Sequence, residues 1–363
     1  MKKALALIFV LALLCTLVSC GQSAAENQQQ GVSIEPEILT PLFRIKAVEG
    51  QSEPQTLYYP TESGIAYISK TQKGYMGGYF MLPNLISNEE IFTCTSRPSE
   101  IFDLGDEKAA VIADGKLILL SLDHGRSNEF ELNGKLDHED IILGADGAFY
   151  YEKNGYILTA DLAFDEKYTT LSVTERVVLP TEKLTGFLQM LAVSADGERM
   201  YYMYEENGQR GFAFFGIGYQ GERLGATAVN YRRLTRFSGT GKVLFETSAS
   251  GGESAYTLVD FEANKAQKIT VAAGQEYASV TVNADGTHLV GLLKDTDGIG
   301  GHLDLLEFAS GKRVKHYELA DLKLNESLCA TRSAKYLVVG QFDDGAGYDD
   351  DGGETVSVIQ TGK

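Results

Sequence analysis

The sequence predicts an all-β protein, a seven-bladed β-propeller of four-stranded antiparallel blades. Three observations favour this fold. Short runs of β-branched and aromatic residues alternate with Gly, Asp and Asn turns, as in strands, whereas helical periodicity is hard to find. One strand–turn–strand unit returns along most of the chain. The last copy of the unit lacks one strand, which we expect the N-terminal part of the chain to supply.

The repeated unit is clearest after residue 140. Ile141-Ile142-Leu143 precedes the turn Gly144-Ala145-Asp146-Gly147, and Ala148-Phe149-Tyr150-Tyr151 follows it. A second turn at Asn154-Gly155 leads into Tyr156-Ile157-Leu158-Thr159. Asp-Gly and Asn-Gly accept positive φ, so each permits a tight hairpin. The segment therefore predicts an antiparallel meander.

Aligned copies of the first hairpin give a register for the whole chain. The turns fall at Gly64, Asp106, Gly147, Gly197, Gly241, Gly286 and Lys335. Their spacing of about 40–50 residues is the length of a four-stranded propeller blade. The alternative is a β-sandwich of unrelated hairpins, but a sandwich gives no reason for one strand–turn unit to recur seven times.

The last copy predicts only three strands, at Leu328–Thr331, Tyr336–Phe342 and Thr355–Gln360. A propeller must join its last blade to its first, because open sheet edges invite pairing with other chains. The apolar segment Leu42–Val48 lies before the first full copy. We expect it to be the outer strand of the last blade.

Two of the hairpins resemble a known family. Val193-Ser194-Ala195-Asp196-Gly197-Glu198 and Val282-Asn283-Ala284-Asp285-Gly286-Thr287 are similar to the "hydrophobic, Ser-Pro-Asp-Gly-Lys" hairpin of TolB-like and YVTN-type propellers, with Ala in place of Pro. The propeller domains of prolyl-oligopeptidase relatives share this hairpin. The resemblance implies a rigid face presented to a partner and carries over no catalytic residues. The chain has no Trp, which argues against WD-repeat and quinoprotein propellers.

The first twenty residues resemble a bacterial lipoprotein signal. Lys2 and Lys3 precede the apolar run Ala4–Leu14, and Leu17-Val18-Ser19-Cys20-Gly21 matches a lipobox. We expect residues 1–19 to be a cleaved signal peptide, residues 20–37 a lipidated Cys20 with a flexible tether, and residues 38–363 the propeller. The alternatives are an uncleaved anchor or an ordinary signal in which Cys20 is incidental. The prediction is an extracytoplasmic protein, held to the cell membrane or outer membrane by acyl chains.

Charge and cysteine content limit the partners further. The formal net charge of −18 repels nucleic-acid phosphate and anionic lipid, so we expect no nucleic-acid partner. Beyond the signal, Cys94 and Cys329 are far apart in sequence. They could pair, but we expect two small buried apolar residues.

Two acidic loops in the last two blades are candidate metal sites. They contain Asp295 and Asp297 in one loop and Asp349 and Asp351 in the other. Carboxylates between glycines can wrap Ca²⁺, which takes six to eight oxygen ligands. The alternative is a solvated hairpin tip without metal. We therefore expect no certain cofactor, with Ca²⁺ as the one candidate.

A basic cluster and three tyrosine pairs are candidate binding residues. Arg232, Arg233 and Arg236 stand together in an acidic chain, and guanidinium groups suit carboxylate or phosphate recognition. The alternative is that they pair with the protein's own acidic residues. Tyr58-Tyr59, Tyr150-Tyr151 and Tyr201-Tyr202 could stack on sugars, but alternation along a strand favours packing on both faces of a blade.

The sequence offers no catalytic signature. No histidine pair has zinc-ligand spacing, and there is neither a Gly-x-Ser-x-Gly elbow nor a phosphate-binding glycine loop. We therefore predict a monomeric binding or scaffolding lipoprotein for an envelope protein or glycan. The alternative is a propeller enzyme, a lyase or hydrolase acting on a sugar or peptide in the central funnel. A third possibility is a sensor domain.

Overall fold

The computed structural model describes residues 37–46, 56–61, 64–82, 86–98, 101–105, 107–130, 141–164, 171–217, 223–237, 239–248, 254–271, 277–283, 286–294, 301–318, 328–330, 335–343 and 353–360. The fold is an all-β propeller with four-stranded antiparallel blades. Among these residues the one helical element is a 3-10 turn, Thr181–Lys183. No helix in this part of the chain is both long and apolar enough to span a bilayer.

The strands divide between two compact units, and the first contains Gly134–Thr270. Its described strands form three sheets. They are β10 (Ile141–Leu143), β11 (Phe149–Lys153), β12 (Tyr156–Phe164) and β13 (Leu171–Pro180); β14 (Phe187–Val193), β15 (Arg199–Glu206), β16 (Gln209–Gly216) and β17 (Arg223–Ala228); and β18 (Arg233–Phe237), β19 (Lys242–Ser248), β20 (Ser254–Asp260) and β21 (Lys265–Val271). Each sheet is a meander in chain order.

The second unit contains Ser23–Asn133 and Val271–Lys363. Its described strands form four sheets. They are β2 (Leu57–Pro60), β3 (Gly64–Thr71), β4 (Gly74–Met81) and β5 (Ile86–Cys94); β6 (Ile101–Gly105), β7 (Lys108–Ala113), β8 (Lys116–Ser121) and β9 (Arg126–Phe130); β22 (Ser279–Val282), β23 (His288–Lys294), β24 (Gly301–Glu307) and β25 (Arg313–Glu318); and β26 (Leu328–Ala330), β27 (Tyr336–Asp343) and β28 (Gly353–Gln360) with β1 (Glu37–Lys46).

The prediction that an N-terminal segment is the outer strand of the last sheet is confirmed. β1 pairs antiparallel with β28, from Glu37 opposite Gln360 to Lys46 opposite Gly353. The strand begins before the predicted Leu42, and its pairing is interrupted by an irregularity between Leu39 and Phe43. The two ends of the described chain are therefore joined by main-chain hydrogen bonds within one sheet.

Core residues lie between neighbouring sheets of the same unit. On β27, Tyr336 and Val338 pack with Ile65 of the β2–β5 sheet. Leu337 and Val339 point the other way and pack with the β22–β25 sheet. Because successive side chains in a strand alternate faces, both faces of an inner strand must be apolar. This explains why the strands read as continuous apolar runs rather than as alternating patterns.

In two of the sheets, the first hairpin is held by a short polar side chain that accepts backbone N–H groups. In the β14–β15 hairpin, the amide of Arg199 donates to Ser194 Oγ at 3.0 Å. In the β22–β23 hairpin, the amides of Thr287 and His288 donate to Asn283 Oδ1 at 3.0 and 2.7 Å. Gly197 supplies the positive φ of 65° that the turn requires. The Ser/Asn-x-Asp-Gly pattern therefore encodes the turn itself.

Candidate functional site

Several of the predicted site residues lie outside the described part of the chain. They are Cys20 and the four candidate calcium ligands Asp295, Asp297, Asp349 and Asp351. Among the residues the structure describes, no group of three or more His, Cys, Asp or Glu side chains could hold a metal ion. Lipidation and calcium binding therefore stay predictions.

The structure separates the three predicted arginines. Arg232 and Arg233 both face Glu246 of β19, with Arg232 Nη1 3.9 Å from Oε1 and Arg233 Nε 3.9 Å from Oε2. Arg236 points to the other face of β18 and donates from Nη1 to the backbone carbonyl of Met190 at 3.2 Å. Three residues along a strand reverse the direction of a side chain, so Arg233 and Arg236 cannot belong to one cluster.

The backbone fixes the segment that carries the arginine pair. Arg233 is the first residue of β18 and is in register with Glu246. The amide of Arg232 donates to the carbonyl of Glu246 at 2.7 Å. The ring of Tyr231 meets that of the buried Phe245 edge-on, with centroids 5.9 Å apart. We call Tyr231, Arg232 and Arg233 the arginine edge.

The arginine edge combines exposed cations with a buried anion. The side chains of Arg232 and Arg233 are 50% and 54% exposed, whereas that of Glu246 is 9% exposed. A buried carboxylate is costly unless cations or hydrogen-bond donors offset its desolvation. Glu246 therefore holds two guanidinium groups close to it while leaving about half of each in contact with solvent.

A second polar cluster lies within the β22–β25 sheet and centres on Asp304. This residue is 4% exposed. Tyr277 Oη donates to Asp304 Oδ2 at 2.9 Å, and His316 Nδ1 lies 2.6 Å from Asp304 Oδ1. Arg313 Nη1 lies 3.5 Å from the same oxygen. The ring of His302 stacks on His316 at 4.9 Å between centroids. The carboxylate thus joins three separate segments of one blade.

The register of the sheet explains why the Asp304 cluster forms. Gly291, Asp304 and His316 are direct cross-strand neighbours on β23, β24 and β25. A Cβ on Gly291 would come within 2.5 Å of the Tyr277 ring, so the glycine leaves the space in which that ring lies. Sequence analysis missed this cluster because the histidines look scattered until the strand pairing is known.

The tyrosine pairs are packing residues rather than surface platforms. Tyr201 packs between the β14–β17 and β18–β21 sheets, whereas Tyr202 packs between the β10–β13 and β14–β17 sheets. This confirms the predicted alternation. Tyr150 donates to Asp146 at 2.6 Å, and burial together with that carboxylate raises the pKa of Tyr150. Buried tyrosine hydroxyls of this kind stay protonated and act as hydrogen-bond donors.

Cys94 has the role that the sequence predicts. It is a free, buried cysteine. Burial, together with the nearby charge of Asp114, raises the pKa of the Cys94 thiol to about 12. The thiolate is the reactive form of cysteine, so this residue is chemically inert in the folded protein. The side chain of Cys329 lies outside the described residues.

Comparisons with known proteins agree with the fold alone. No family model and no curated protein matches the chain. The β-propeller domain of Cps50 (Swd1) from Myceliophteria thermophila is similar, with a TM-score of 0.51, 11% identity, and coverage of 89% of this chain and 100% of that chain. The WD40 domain of Toxoplasma gondii coronin has a TM-score of 0.48 and 10% identity, covering 91% and 87%.

A third structure, Kuenenia stuttgartiensis hydrazine synthase, has a TM-score of 0.49 and 13% identity, covering 87% of this chain and 99% of that chain. At these identities the likeness concerns architecture and not activity. The strand pairing, together with the similarity to the Cps50 domain, therefore places the chain in the β-propeller fold class.

Proposed function

We propose that the protein is a membrane-anchored extracytoplasmic lipoprotein whose propeller binds an envelope protein or glycan. The observation that carries the binding role is the arginine edge: a tyrosine and two half-exposed arginines on a segment that the backbone already fixes. Tyr and Arg are enriched among the residues that dominate binding energy at interfaces. A fixed segment loses little conformational freedom on binding, which favours affinity.

The proposed location rests on the N-terminal sequence. Lys2 and Lys3, the apolar run after them and the lipobox ending at Cys20 support export and lipidation. The polar stretch GQSAAENQQQG after Cys20 has the composition of a flexible linker. It would let the propeller reach a partner while the acyl chains stay in the membrane.

We further propose that the fold is a seven-bladed propeller and that the protein is a monomer. Seven four-stranded sheets along the chain and the antiparallel pairing of β1 with β28 support the blade number. Because β1 supplies the outer strand of the last sheet from the same chain, that sheet needs no strand from a second copy. The alternative of a lyase or hydrolase, and calcium binding by the acidic loops, stay predictions.

The function is tested by recovering the tagged full chain from native envelopes after crosslinking on intact cells. We expect the wild-type chain in the membrane fraction, with one stoichiometric envelope component bound. Cys20→Ala should move the chain to the soluble extracytoplasmic fraction. Cys15→Ala, within the predicted signal, is the matched control and should stay with the membrane. Retention of Cys20→Ala in the membrane contradicts the lipid anchor, and recovery of no bound component contradicts the binding role.

A further inference from the structure

The arginine edge has a charge pattern that selects its partner. Arg233 Nε lies 3.9 Å from Glu246 Oε2, near the upper limit for a salt bridge, and 54% of the Arg233 side chain is exposed. The guanidinium group of Arg233 therefore keeps N–H donors in contact with solvent. Arg232 adds a second positive charge at the same edge.

Another exposed arginine of the same unit shows the contrast. Arg176 of the β10–β13 sheet is 61% exposed, and its Nε donates to Asp161 at 3.1 Å. Arg176 thus has a close carboxylate of its own, whereas Arg233 lies 3.9 Å from the carboxylate that Arg232 also faces. The side chains of Arg176 and Arg233 are similar in exposure and differ in pairing.

We propose that the arginine edge binds an acidic peptide segment of a protein partner, through Arg233 in particular. The inference rests on the proposed binding role and names the chemistry of the partner. A guanidinium group binds a carboxylate through two parallel N–H donors. The Tyr231 ring, held against Phe245, offers a flat apolar surface beside these donors. Alternating carboxylates and methylene groups of an acidic segment match that combination.

The net charge favours a peptide over a lipid surface as the occupant. The chain carries a formal charge of −18, which opposes close approach to a broad anionic bilayer. A peptide segment contacts only a small area. Charges beyond a Debye length of about 8 Å at physiological salt are largely screened, so the local arginines dominate that contact. An acidic segment can therefore bind where an anionic membrane is repelled.

The test measures binding of a labelled hexaglutamate peptide to the detergent-solubilised full chain. We expect saturable binding that weakens at high salt, with no binding of hexaglutamine. Arg233→Gln leaves Arg232 with Glu246, so the fold should be retained, and it should weaken binding by about tenfold. Glu246→Gln removes the competing carboxylate and should strengthen binding. Arg176→Gln is the matched control and should leave binding unchanged.

Equal losses of binding in Arg233→Gln and Arg176→Gln would overturn the inference. Hexaglutamate binding that Arg233→Gln leaves unchanged would also overturn it. Binding to phosphatidylglycerol vesicles without binding to hexaglutamate would also overturn it, in favour of a lipid partner. These results leave the binding role itself intact if Arg233→Gln still recovers the wild-type envelope component. If an arginine-edge variant loses the envelope component and the control variant keeps it, both the binding role and the acidic-peptide inference are supported.

Discussion

At the scale of single residues, some buried polar side chains have a neighbour that carries the complementary charge or hydrogen-bonding group. Asp304 is the clearest case, because its carboxylate meets a tyrosine hydroxyl, an imidazole and a guanidinium group. Asp123 makes a similar pair with His124 at 2.8 Å, but both side chains are largely exposed. The two aspartates share a chemistry and differ in burial.

This difference gives a stability prediction. Asp304→Asn removes the charge that holds His316 and Arg313, and we expect the free energy of unfolding to fall by about 3 kcal/mol. Asp123→Asn removes an exposed pair and should cost less than about 1 kcal/mol. Urea unfolding of both variants measures the difference. Equal effects of the two substitutions would show that the Asp304 cluster contributes no more than a surface ion pair.

At the scale of elements, the connection from the β2–β5 sheet to the β6–β9 sheet is held by hydrogen bonds to the β7–β8 turn. Asp114 lies in the β7–β8 turn and accepts from the Thr95 amide at 2.9 Å, the Thr95 hydroxyl at 2.6 Å and the Ser96 amide at 2.8 Å. In return its own amide donates to Ser96 Oγ at 2.8 Å. Burial opposes the charged carboxylate, but these hydrogen bonds outweigh it and lower the pKa of Asp114 to about 2.

The lowered pKa predicts acid sensitivity. The unfolded chain protonates Asp114 near its ordinary value of 3.8, whereas the folded protein does so only near 2. The stabilisation is therefore complete above about pH 4 and is lost as the pH falls to about 2. We expect Asp114→Asn to lose less stability than wild type over this interval in urea unfolding, with Thr95→Val intermediate. Parallel pH profiles for all three proteins would contradict this role.

At the scale of the whole molecule, stability depends on joining the first described strand to the last sheet. β1 covers β28, which would otherwise be an open edge with unpaired backbone groups. We expect deletion of Glu37–Lys46 to lower the melting temperature by at least about 10 °C. Deletion of residues 21–31, within the predicted tether, should leave it unchanged. Equal melting temperatures in thermal unfolding would show that the β1 pairing does not support the fold.

Much of the fold could be read from local patterns because the relevant interactions are local. The turn residues Asp146-Gly147 and Asp196-Gly197 specify hairpins between strands that are adjacent in sequence. The apolar runs between such turns predict strands that pack on both faces. The role of β1 could be inferred as well. The last repeat contains only three strands, so its fourth strand had to come from another part of the chain.

The sequence by itself determined the strand–turn repeat, the four-stranded blades and the N-terminal strand of the last sheet, because these follow from turn chemistry and side-chain alternation over short distances. Only the tertiary structure decided which polar residues meet. It put Arg232 and Arg233 on Glu246, sent Arg236 to the opposite face, and brought Tyr277, Asp304 and His316 together. These contacts depend on cross-strand register and on which faces meet, and no spacing within a single strand encodes either.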